Sequence, residues 1–332
     1  MTKLIELKDK VCRFCSANEI YLMPAVKFLL AFTLFCIING SIGFMAKIST
    51  TPIALLLALL CCLFPYGMTI FVAAGLILIN LYTLSIEVAL MALLVFMVIY
   101  FMYFRFAPKD GIFVLLTPIL FKLNIPYVLP MATGLLRNVY SVIAVICGTI
   151  AFYFIDGIYQ NVSTLVAAGG QSEKMTVTAT QLLSNKEMYL TIGIFAVTSI
   201  VVYVIRRLSI DHAWKIAIIS GVLIQVSGLL AGYMVFSISG KTMNMIVGNF
   251  VSLLLGFVLE FVCLGLDYER TERVQFEDDD YYYFVKAVPK KMISSADKQV
   301  KQFGTVHNNN NIKEDSRRKI AEELEIDEDL LK

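Results

Sequence analysis

Apolar and polar positions segregate into long blocks along this chain. They show neither the alternation of a half-buried strand nor the single stripe of a surface helix. Charge-poor apolar runs recur from residue 28 to residue 266, while most charges lie up to residue 27, in a few short loops and after residue 266. About 20 helical residues cross a hydrocarbon core roughly 30 Å thick, so each full run predicts a membrane span. Six long spans are predicted, near 28–46, 87–104, 139–155, 188–205, 215–236 and 243–266.

Two further tracts do not fit one ordinary helix each. Residues 52–85 are interrupted at Pro65 in "LFPYGM", and residues 111–136 at Pro126 in "NIPYVLP". Proline lacks the amide donor and clashes with the preceding turn, so a continuous helix through either position is disfavoured. Each tract therefore predicts a pair of short helices, near 52–64 and 68–82 in the first, and 111–123 followed by "VLPMATGLL" in the second. Two readings stay open: re-entrant breaks, or simple turns that bring the total to ten spans. The tracts share Pro-Tyr, then Gly-Leu (Gly75-Leu76 and Gly134-Leu135), then Tyr82-Thr83 against Tyr140-Ser141. This order suggests inverted units over 52–104 and 111–157, the arrangement that places broken helices around a transporter site.

Composition agrees with an all-α integral membrane protein: 58% of the 332 residues are hydrophobic, and the mean hydropathy is +0.75. Soluble domains usually carry about 45–50% apolar residues. The net charge of +2 suggests no nucleic-acid partner. Of seven cysteines, five sit in apolar runs as small hydrophobes. Cys12 and Cys15 form a CxxC, but no second pair or neighbouring His completes a zinc site, so no metal or cofactor is expected.

Lysine and arginine bias sets the expected orientation. Lys3, Lys8, Lys10, Arg13 and Lys27 place residues 1–27, read as a cytoplasmic amphipathic segment, inside. Arg105, Lys109, Arg206, Arg207 and Lys215 then also fall inside, and the polar 157–187 loop falls outside. Residues 28–266 form the membrane domain and residues 267–332 a cytoplasmic tail. In the tail, the β-favouring pattern of 271–290 predicts a hairpin, "NNNN" at 308–311 a linker, and 313–331 a terminal helix.

Candidate chemistry follows from the cost of polar groups in lipid. Lys122 lies four residues before Pro126, and Arg137 follows "ATGLL". Together they would attract a polar or anionic solute, or else snorkel to an interface with their stems in lipid. Glu260 would hold a proton or cation, or reach the inner surface. With Pro65, Tyr66, Pro126 and Tyr127 at the breaks, these seven are the candidate binding residues. The tripeptide Gly240-Lys241-Thr242 in "SISGKT" resembles the end of a phosphate loop, but Val235 stands where the first glycine is needed, so nucleotide binding is rejected. No paired catalytic carboxylates, nucleophile elbow or metal motif appears, and no enzyme activity is expected.

The segments "YERTERVQFEDDDYYYFVKAVPK" and "FRFAPKDG" resemble a poorly characterised group of multi-pass membrane proteins of anaerobic Gram-positive bacteria, loosely labelled as transporter permeases. The resemblance implies a cell-membrane location and a permease-like role, and assigns no site residues. The chain lacks the EAA-type cytoplasmic loop of ATP-binding-cassette importers, which argues against ATPase coupling. The expected function is transport of a small polar or anionic solute, as a whole transporter or as one subunit. The alternative is a membrane scaffold whose tail recruits cytoplasmic or envelope-assembly partners. The bilayer is the expected surrounding in both cases, and the tail is the expected contact for a second copy or a partner subunit.

Overall fold

The computed structural model describes residues 8, 10–11, 14–167, 171–208, 212–238, 240–263, 272–277 and 282–287. The chain forms two compact units, Met1–Gly265 and Leu266–Lys332. The first is helical throughout its described part. Its helices are α1 (Glu19–Ile42), α2 (Thr51–Cys62), α3 (Tyr66–Leu84), α4 (Ile86–Phe106), α5 (Gly111–Lys122) and α6 (Val128–Leu136). After a 3-10 turn at Val139–Ser141 come α7 (Val142–Gln160), α8 (Val162–Ala167), α9 (Gln171–Leu183), α10 (Lys186–Arg207), α11 (Ala213–Phe236) and α12 (Thr242–Cys263).

Among the described residues, seven helical segments are long and apolar enough to cross a membrane, which makes this a multi-pass membrane protein. Their outward faces carry bare apolar side chains such as Phe101, Leu223 and Phe250, each at least 60% exposed. Water does not tolerate such a surface over a whole molecule; lipid does.

The segments differ from the expected spans in three places. Helix α1 begins at Glu19 and runs through Pro24, the sixth residue of the helix, where proline removes one ladder bond. Helix α3 has 19 residues, so the first Pro-Tyr tract contributes a full-length helix after a 12-residue one. The 157–187 region is not an extended loop. Helix α9 lays Thr178 and Gln181 against the end of α7, and Gln181 Nε2 donates to the Gly157 carbonyl at 2.7 Å. That contact lets a threonine-rich segment of modest helix propensity stay helical.

Between α10 and α11 the glycines of "GVLIQVSGLLAGYM" form the expected small face. Val202, Ile194 and Leu190 of α10 fill the space beside Gly221, Gly228 and Gly232. Asn80 of α3 anchors the α1–α2 connection: its Oδ1 accepts from Met45 N at 3.1 Å and from Ser49 Oγ at 3.0 Å.

In the second unit, the described residues form antiparallel strands β1 (Glu272–Glu277) and β2 (Tyr282–Ala287), with Glu277 opposite Tyr282. The linker at 308–311, the helix expected at 313–331 and Cys12 of the CxxC lie outside the described residues.

Candidate functional site: a helical hairpin beneath a charged vestibule

The second Pro-Tyr tract folds back on itself. Helix α5 runs parallel to α7: Asp110 bonds Ser141, the side chain of Thr117 faces Gly148, and Phe121 stacks on Phe152 with centroids 4.5 Å apart. Helix α6 returns in the opposite direction alongside α10, with Thr133 Oγ1 2.8 Å from Ser199 Oγ and Arg206 donating to the Leu135 carbonyl. The residue before α5 and the residue after α6 therefore meet. Arg137 Nε lies 3.3 Å from Asp110 Oδ1, and Ser141 Oγ donates to Asp110 Oδ2 at 2.6 Å.

The tip of this hairpin is a helix stop written in the sequence. Asn124 adopts φ 59°, Asn124 N donates to the Phe121 carbonyl, and Ile125 N donates to the Leu120 carbonyl. This is a Schellman closure, with asparagine in the left-handed position and a proline two residues on. Pro126 then forces extension and restarts the chain as α6, whose Leu129 N reaches back to the Pro126 carbonyl.

Helix α6 is the most enclosed element. Eight of its nine residues are buried, between α7, α10, α11 and α12. A Cβ at Gly134 would stand 2.8 Å from the Ser199 carbonyl oxygen, so only glycine lets the α6 and α10 backbones come this close. Its neighbour α11 contributes Gln225, half-way along a 24-residue helix, whose Nε2 donates to the Tyr127 carbonyl at 3.1 Å. The break thus lies beside the middle of α11, with Pro126 buried while Lys122, Leu123 and Asn124 are exposed at the tip, so it meets a cavity, one of the settings in which a membrane tolerates an interrupted helix.

Two adjoining cavities, about 340 Å³ and 180 Å³, open above the tip at the end of the bundle opposite Asp110 and Arg137. Both are lined by Phe121, Asn124, Phe152 and Asp156. Lys122 adds to the larger, together with Ile38 and Ser41 of α1. The smaller is walled by Tyr127, Tyr153, Thr191 and Tyr233, with Glu187 and Lys241 also lining it. Lys241 Nζ holds both carboxylate oxygens of Glu187, at 2.7 and 2.9 Å. Lys122 and Asp156 face the same larger cavity without forming an ion pair. The vestibule therefore presents two cations and two anions above an aromatic floor.

Of the seven residues singled out from the sequence, the structure gathers Lys122, Pro126 and Tyr127 at the hairpin tip. Pro65 and Tyr66 lie at the other end of the bundle, where Tyr66 abuts Gly111 and Lys27 Nζ reaches the Phe64 carbonyl at 3.4 Å. Arg137 sits at the same end in its pair with Asp110. Glu260 is half-buried near the end of α12 and lines neither cavity. Sequence reasoning missed Asp156, Glu187 and Lys241. A signal was present for one of them, since Asp156 is a lone acid in "FYFIDGIY". Compared with known proteins, the chain matches no family model, no curated protein and no solved structure.

Proposed function

We propose that this is a permease-like transport protein, alone or as a transporter subunit, whose solute enters the vestibule and passes the re-entrant hairpin α5–α6. One observation carries the reading: a helix break forms the floor of a charged cavity, while the hairpin's two ends are clasped by Asp110 and Arg137 at the opposite end. Discontinuous helices near mid-bundle are how transporters present backbone groups to solutes. Lys122 and Lys241 balanced by Asp156 and Glu187 favour a small polar solute, with the lysines able to take an anionic group. The resemblance to permease-labelled proteins points the same way.

Arg137 and Arg206 meet at the clasped end, where Arg206 also lies over Tyr203 and Trp214, and Arg105 stands in the last turn of α4, whose Tyr103 abuts Gly111 at the same end. By the positive-inside rule this end is cytoplasmic, the vestibule faces outward, and both termini are cytoplasmic in a cell membrane. In this arrangement α5–α6 is re-entrant, and Pro65-Tyr66 is a turn at the cytoplasmic surface between α2 and α3. The scaffold reading keeps one support, namely that the tail forms a compact unit of its own.

The test is thiol labelling in a cysteine-free variant with an impermeant reagent. Asn124→Cys should react only from outside and Tyr66→Cys only from inside, with buried Thr133→Cys silent. Uptake of a panel of small polar, zwitterionic and anionic solutes into proteoliposomes then decides transport. If Asn124→Cys reacts but no solute crosses, the vestibule stands and the scaffold reading replaces transport.

A further inference from the structure

Two opposite charges face the larger cavity above the hairpin tip, and neither is spent on the other. Asp156 of α7 accepts from Gln160 Nε2 at 2.6 Å through Oδ2, and among the described residues no group bonds its Oδ1. Lys122 ends α5 and has no hydrogen-bond or ion-pair partner among the described residues. Both line the same space of about 340 Å³, and Asp156 lies within electrostatic reach of Lys122. Opposite charges attract more strongly beside a protein wall than in bulk water. A gap kept open between them suits a molecule that carries the complementary charges in reverse order.

The wall between the two charges is apolar. Phe121 precedes Lys122, and Phe152 lies one turn before Asp156 on the same face of α7. Their rings stack with centroids 4.5 Å apart, and both line the cavity. A cation that reaches Asp156 therefore gains an aromatic neighbour as well. Ile38 of α1, Pro118 of α5 and Ile155 of α7 continue the lining, so the body of a ligand meets aliphatic surface. The other two vestibule charges do not share this role. Lys241 holds both carboxylate oxygens of Glu187, and both residues line the smaller cavity.

A lone anion would be repelled by Asp156 and a lone cation by Lys122, whereas a molecule with both charges satisfies each. The volume lies at the lower end of the range of about 300–1,000 Å³ for small-molecule sites, which suits a compact ligand. We propose that the larger cavity binds a small zwitterion with an aliphatic or aromatic body, of the apolar amino-acid class, its ammonium on Asp156 and its carboxylate on Lys122. This rests on the vestibule being the solute entrance proposed above and names the class of solute.

The test is equilibrium binding to the purified full-length chain in phosphatidylglycerol nanodiscs, with alanine, leucine and phenylalanine as radiolabelled probes. At least one should bind saturably near one per chain. Isopentylamine, which is leucine without its carboxylate, and isocaproate, which lacks the ammonium, should each bind about tenfold more weakly than leucine, having lost one charge-assisted hydrogen bond. Asp156→Asn should weaken leucine about tenfold and leave isocaproate unchanged or improved. Lys122→Gln should weaken leucine similarly and leave isopentylamine unchanged or improved. A merely structural role would weaken all three compounds together and would overturn the assignment to these residues. If a variant does not fold, the wild-type ranking of the three compounds decides. No saturable binding of any amino acid, or equal binding of leucine and its two singly charged analogues, would overturn the proposal. A second set of discs contains phosphatidylethanolamine, whose headgroup carries the same two kinds of charge. Leucine binding that persists there supports a free solute, whereas retention of that lipid near one per chain with no amino acid bound would overturn it. Binding without uptake into proteoliposomes would keep this site and remove transport, while uptake of another solute without amino-acid binding would do the reverse.

Discussion

Asp110 and Arg137 flank two helices and a reversal of direction, yet the Arg137 Nε lies 3.3 Å from Asp110 Oδ1. The pair is unequal. The Asp110 side chain is 12% exposed and that of Arg137 50%, and Asp110 also accepts from Ser141, which is 1% exposed. Asp110→Ala strands the buried Ser141 hydroxyl, which should cost about 1–3 kcal/mol. Arg137→Ala removes a half-exposed ion pair and should cost about 1 kcal/mol or less. Thermal unfolding of both variants checks the ranking. Equal losses would mean that the charge pair, rather than the buried hydroxyl bond, closes the hairpin.

Gly134 and Gly75 occupy matching places in the two Pro-Tyr tracts, but their surroundings differ. A Cβ at Gly134 would meet the Ser199 carbonyl and Val202 at 2.8 Å, whereas nothing lies within 4 Å of one at Gly75. Gly134→Ala must push two backbones apart, and overpacking of this kind costs about 1–3 kcal/mol. Gly75→Ala should be neutral or stabilising by up to about 1 kcal/mol, since alanine is the better helix former. Denaturation of the two variants side by side decides it, and a harmless Gly134→Ala would contradict the close α6–α10 contact.

Asn124 carries the reversal at the tip through its left-handed backbone, φ 59°. Asn124→Gly should leave stability nearly unchanged, because glycine is the commonest residue at such a helix end. Asn124→Val should destabilise by about 1–2 kcal/mol, the cost of a left-handed conformation for a β-branched residue without asparagine's local hydrogen bonding. The same unfolding assay reads both. If valine is tolerated as well as glycine, the tip does not require this conformation.

These contrasts explain what was legible in the sequence. The blocks of apolar residues located the long helices because burial in lipid demands whole turns without charge, and both prolines marked real interruptions. The sequence did not reveal that the interruptions are unequal. Pro65 and Pro126 look alike locally, but only the second follows an asparagine able to close a Schellman motif, and "VLPMATGLL" is buried at eight of its nine positions against seven of the nineteen in α3. Such enclosure is a property of the tertiary contacts. Vestibule charges were hidden for the same reason, since Asp156, Glu187 and Lys241 sit near helix ends on three separate elements, where a lone charge looks like a boundary.

The ion pair of Glu187 with Lys241 stands at the vestibule rim, and its side chains are 20% and 53% exposed. Exposed pairs contribute about 0–1 kcal/mol and weaken with salt. Its geometry nonetheless ties the start of α10 to the α11–α12 connection across the smaller cavity. Lys241→Gln should therefore change the unfolding midpoint little while speeding thiol labelling of Asn124→Cys beneath it. High salt should have a similar effect on the protein with Lys241 intact and no further effect on the variant. Labelling rates that ignore both the substitution and the salt would show that the pair is a surface ornament and that access to the hairpin tip is limited elsewhere, with the aromatic wall of Tyr127, Tyr153 and Tyr233 as the next place to cut.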